Sequence, residues 1–123
     1  MTRLATTLLA CACLAAAGCG SDDDTGDSGG AGPDPNDKRA VALDCIVNGK
    51  GIPAELSGEN AIQVGDDPEA DPRIEFYVST GEAEGRQFHG NAQGAEHIGQ
   101  TLLFVREGSD DLLEEIEGCL QDL

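Results

Sequence analysis

Basic side chains are scarce in this chain: seven Lys and Arg stand against 24 Asp and Glu, a formal charge of −17. A field of that sign repels phosphate backbones and anionic lipid heads, so nucleic acid is set aside as a partner. It favours solubility and attracts cations and basic proteins. Histidine is scarcer still. His89 and His97 are the only two, eight positions apart, whereas zinc ligands on a helix sit four apart. Both read as surface side chains. There is no Ser-x-x-Lys and no phosphate-binding loop. Gly81, Gly85, Gly90 and Gly94 recur without the strand-then-glycine fingerprint of dinucleotide sites. The many carboxylates read as a solvated acidic face. The sequence therefore names no catalytic residue, no metal ligand and no cofactor, and the folded part is expected not to be an enzyme.

Long apolar runs are missing as well. The uncharged stretch from Leu4 to Ala17 has 14 residues, and a membrane-spanning helix needs about 20. Its length, the Arg3 before it and the small residues after it describe a secretory signal. Gly18 and Cys19 follow, then Gly20-Ser21-Asp22-Asp23-Asp24, which cannot enter a membrane.

Ala16-Ala17-Gly18-Cys19 resembles the signal box of bacterial lipoproteins, with Ala16 where that family prefers Leu. Leu8-Leu9-Ala10-Cys11 fits the box too, but a cut there leaves an apolar core of only six residues, Leu4 to Leu9. The resemblance implies a signal peptide over 1–18 and lipidation at Cys19, on its sulfur and on the amine freed by cleavage. Two or more acyl chains anchor a protein stably in a membrane. It also implies an envelope location, on the outer side of the cytoplasmic membrane or in the outer membrane. Gly20, rather than Asp, after the lipidated Cys favours the outer membrane in a host that has one. An ordinary secreted protein without lipid is the alternative.

Residues 19–123 hold six basic and 24 acidic residues, a formal charge of −18. Five cysteines sort themselves on this reading. Cys11 and Cys13 leave with the leader, and Cys19 carries lipid. Cys45 and Cys119 remain, an even pair in an oxidising compartment, so a disulfide is expected. A metal or redox pair wants close Cys-x-x-Cys spacing, which this chain lacks.

Residues 20–37 contain no Leu, Ile, Val or aromatic side chain. Such a segment cannot offset its ordering entropy and is expected to be a disordered acidic tether. Its root-mean-square reach is roughly 20–25 Å. Asp22 and Asp24 resemble a calcium loop only in their spacing, because Gly26 stands where a third ligand belongs.

A domain over 38–123 carries six basic and 18 acidic residues, a charge of −12. Asp37 is a plausible N-cap for a helix over 40–47. Short strands are expected at Ile52–Leu56 and Ala61–Val64. An acidic loop, Gly65 to Pro72, leads to the clearest strand, 73–78. There Ile74, Phe76 and Val78 share one face and Arg73, Glu75 and Tyr77 the other. Ser79 and Glu82 have capping-box spacing ahead of a helix over 83–93 anchored by Phe88. A buried strand over 101–105 follows. The last helix is capped by Ser109, with Leu112, Leu113, Ile116, Cys119, Leu120 and Leu123 on one stripe.

These elements predict an α+β fold with a single sheet of about three to four strands and helices packed on one face, in the order α-β-β-β-α-β-α. The pattern is similar to a recurring type of small exported bacterial domain, carried here by Cys45, Ile74 to Val78, Glu82 to Phe88 and Leu112 to Leu120. That likeness implies no particular activity. Arg73 and Tyr77 form a shallow contact surface on the open sheet face. The expected role is partner binding on the cell surface, with an envelope protein or a basic molecule as partner. A calcium-responsive module built on Asp66, Asp67, Glu69 and Asp71 is the alternative.

Overall fold

A computed structural model describes residues 32–90, 92 and 94–123. Helix α1 (Lys38–Asp44) starts where Asp37 accepts from the amides of Arg39 and Ala40 at 3.1 and 3.2 Å. It runs on into a π-helical turn, Cys45–Gly49, in which the Lys50 amide donates to Cys45 O at 2.9 Å. Ala42 and Ile46, four apart and so on one face, are both fully buried. Strands β1 (Ala54–Ser57), β2 (Ala61–Val64) and β3 (Arg73–Phe76) follow, then α2 (Thr80–His89), β4 (Ala95–Ile98), β5 (Thr101–Phe104) and α3 (Asp110–Gln121).

The five strands form one antiparallel sheet in the order β1-β2-β3-β5-β4. Ile62 pairs with Ile74 and Ile74 with Leu103, so the three stand in a row on one face. They pack against Ala42 and Ile46 from the first helical segment and Ile116, Cys119 and Leu120 from α3. Each Ile or Leu among them contributes roughly 1.5–3 kcal/mol by leaving water.

The fold differs from the sequence expectation in three ways. There are five strands rather than three or four, because residues before Thr101 form a strand of their own. Ala95–Ile98 and Thr101–Phe104 make a hairpin around Gly99-Gln100. Gly99 has φ +58° there, which suits the two-residue turn. The order is therefore α-β-β-β-α-β-β-α. The helices also occupy both faces rather than one. Leu102 and Leu103 are adjacent in β5, point to opposite faces and are both fully buried. Leu103 joins the α1/α3 core, whereas Leu102 packs with Ala83 of α2, Ala92 and Ala95. A strand apolar on both sides needs cover on both sides.

Two local expectations fall with these. Strand β3 ends at Phe76, and Val78 turns out to solvent, 89 % exposed, in the link to α2. Phe88 does not anchor α2. It is 72 % exposed, while Ala83 faces the sheet and Gln87 donates to Ala95 O at 2.8 Å. The capping box forms nearly as expected. Ser79 Oγ accepts from the Glu82 amide, and Glu82 reaches back to the Val78 amide, both at 3.2 Å.

Candidate functional site

Cys45 and Cys119 form a disulfide, with Cα atoms 5.8 Å apart. One sulfur comes from the π-helical turn and the other from the buried stripe of α3, so the bridge ties the first helical segment to the last helix. That stripe is the one read from the sequence: Ile116, Cys119 and Leu120 are buried in the core, with Leu112, Leu113 and Leu123 packed around it. Ser109 Oγ accepts from the Leu112 amide at 3.4 Å as the cap.

Arg73, Glu75 and Tyr77 lie together on the sheet face opposite α1 and α3, but they do not leave it bare. The Arg73 guanidinium reaches Glu75 at 3.3 Å and donates to Ser57 Oγ on β1 at 2.9 Å. Ala61, on the strand between, is fully buried. Tyr77 donates its hydroxyl to the second Glu75 oxygen at 2.7 Å. Burial first, and then that bond to a carboxylate, push the Tyr77 phenol up to about 12. The shift holds Tyr77 protonated. Its stabilisation is present below pH 10 and lost as pH rises towards 12. Beside the cluster, Arg86 of α2 and Phe104 line a cavity of 280 Å³. The polar groups here bind one another, which makes a fixed surface.

The acidic loop from Gly65 to Pro72 is equally self-contained. Asp67 accepts from the amides of Glu69 and Ala70 at 2.9 and 3.2 Å, and Asp71 accepts from the Asp67 amide at 2.8 Å. Arg106 closes it from β5's far end, donating to Pro68 O and, at 3.0 Å, to Asp71 O. Two of the four carboxylates proposed for calcium thus already hold backbone amides. Among the described residues no group of three or more His, Cys, Asp and Glu side chains stands ready to hold a metal. His89 ends α2, exposed, and His97 sits half-buried on β4 with an enclosed Nε2 that finds no partner among the described residues.

One pair escaped the sequence reading. Glu117 of α3 and Glu96 of β4 meet side by side, and their hydrogen bond, then burial, raises the Glu117 carboxyl. Nothing local in the sequence reveals this, because the two residues meet only where β4 lies beside α3. A folded-state value above the unfolded one means the folded state holds the proton more tightly. The resulting stabilisation is complete below about pH 4 and is lost as pH rises through the raised value. Glu117→Gln should therefore raise the melting temperature at pH 7 by roughly 2–4 °C and bring no gain at pH 4. An equal shift at both pH values would show that the two carboxyls do not share a proton.

Cys19, the expected lipidation site, lies outside the described residues. So does Gly26-Asp27-Ser28-Gly29-Gly30, which has Gly-x-Ser-x-Gly spacing. That motif gains meaning only between a strand and a helix, and the run from 20 to 37 has no Leu, Ile, Val or aromatic residue to build a strand. No helix among the described residues is long and apolar enough to cross a membrane. No protein-family model, no curated protein and no solved structure matches this chain.

Proposed function

We propose that this chain is an exported lipoprotein whose small domain is held at the cell envelope by acyl chains on Cys19 and binds a partner there without doing chemistry. The Cys45–Cys119 bridge carries the reading. A disulfide of this kind persists in an oxidising compartment and is rare in a reducing cytosol. It also leaves Cys19 as the one thiol after the signal-like leader, next to the small residues where such a leader is cut. The non-enzymatic half of the reading is supported by the polar side chains of the domain. Arg73, Glu75, Tyr77 and Ser57 satisfy one another, and Asp67 and Asp71 hold their own loop.

Intact mass of the protein expressed with its own leader in a bacterium tests this directly. The expected mass is residues 19–123 plus acyl chains, with two thiols alkylated only after reduction. A lipid-free mass starting near residue 19 would make it an ordinary secreted protein. A thiol at Cys45 or Cys119 that alkylates without reductant would remove the argument for export.

A further inference from the structure

We infer that the outer edge of β1 takes up an extended, alternating basic and apolar segment of another protein as a sixth strand. This rests on the reading that the domain binds a partner, and it names where and what. β1 is one of the two edge strands of the sheet, β4 being the other. The Gly65 amide donates to Pro53 O at 2.8 Å, so Pro53 and Gly65 are a bonded pair. Bonded pairs recur every second residue in an antiparallel ladder, which makes Glu55–Gln63 and Ser57–Ala61 the next two in the register. Ala54 and Leu56 therefore turn N–H and C=O away from the sheet. An open edge of that kind pairs readily with another chain.

The side chains beside this edge fit an added strand. Ala54 and Leu56 point to the α1 face, because Leu56 is paired with the core residue Ile62. They line a trough of 420 Å³ with Ala40, Leu43 and Val47, and Asp44 and Asn48 are the polar residues of its lining. Leu56 is 49 % exposed there. Every second side chain of an added strand would drop into this trough, so those must be apolar. The intervening ones lie on the opposite face next to Glu55.

Charge decides among occupants. A second copy would pair Ala54 with Leu56 and set Glu55 against the other Glu55, like charges directly opposed. Residues 20–31 of this chain carry four Asp and no Leu, Ile, Val or aromatic side chain to fill the trough. A Lys or Arg opposite Glu55 complements both that residue and the −12 charge of residues 38–123.

Backbone NMR of the mature chain, lipid-free through Cys19→Ser, tests the proposal with three acetylated hexapeptides at about 1 mM: alternating Val/Lys, Val/Glu and Ser/Lys. The Val/Lys peptide should shift the amides of Ala54–Ser57 and of Ala40–Val47, and slow exchange of the Leu56 amide at least tenfold. The other two should do neither. Ala54→Pro removes an outward N–H without touching a sheet bond, and should weaken binding at least fivefold. Leu56→Asp should abolish it. Shifts spread over the acidic surface and reproduced by Ser/Lys would overturn the proposal. So would no shift with Val/Lys, a Leu56 amide already protected in the free chain, or dimerisation through β1. None of these outcomes bears on the acyl mass at Cys19, so the anchor and the docking edge stand or fall separately.

Discussion

Replacing Cys45 and Cys119 together by Ala is expected to lower stability by about 3–4.5 kcal/mol and the melting temperature by roughly 15–25 °C. The bridge joins residues 74 apart. Its main effect is on the unfolded chain, which loses the conformations that would separate those two points. A second effect is native. Cys119 is 2 % exposed within the core of Ile46, Ile74 and Ile116, so Ala there also gives up some packing. The free energy of folding for a domain this small is itself only about 5–10 kcal/mol, so the variant would sit near the limit of folding at 37 °C. Thermal unfolding of the protein, with and without reductant, reads the effect. A fall of less than about 5 °C would mean the oxidised and reduced chains unfold from similarly restricted ensembles.

Gly65→Ala is expected to destabilise by about 2–4 kcal/mol. Gly65 has φ +68°, where any other residue is strained, and a Cβ at that position would stand 2.1 Å from Asp71 Oδ2. Asp71 must then swing away and release the Asp67 amide it holds at 2.8 Å. The loop would loosen at its hinge while Arg106 still gripped it from outside. Gly58→Ala is the matched control, with φ +65° and nothing within 4 Å of the added carbon. It should carry the backbone strain alone, about 1–2 kcal/mol. Urea unfolding of both variants separates the two contributions. Equal losses would show that Asp71 moves aside freely and that its bond to Asp67 adds nothing.

Much of this architecture is legible in the residues themselves. Caps declare themselves because their chemistry is local: Asp37, Ser79 and Ser109 each accept from an amide two or three residues on. The stripe of α3 and the alternation of β3 are visible for the same reason. The disulfide follows from counting, because Cys11, Cys13 and Cys19 stand in or next to the signal-like leader and Cys45 and Cys119 are the two that remain. What stays hidden depends on distant partners. Ala95-Glu96-His97-Ile98 alternates weakly, and only its pairing with β5 makes it a strand. The Gly99-Gln100 turn was the available signal. Phe88 illustrates the opposite error. A large aromatic on a glycine-weakened helix suggests an anchor, yet the close approach of α2 to the sheet is made by Ala83, a residue small enough to allow it. Arg73 and Tyr77 share a face as the period of two demands, but their bonds to Ser57 and Glu75 depend on how the strands lie side by side.

The position of the bridge also sets how the domain bears mechanical load. The covalent ring closed by Cys45 and Cys119 contains all five strands, α2 and most of α3. Tension applied between a point before Cys45 and a point after Cys119 passes directly from one sulfur to the other. The sheet lies off that path and feels none of it. α1, the seven residues Lys38–Asp44, and the end of α3 beyond Cys119 are in series with such a pull, so unwinding starts there and draws Ala42 and Leu120 out of the core.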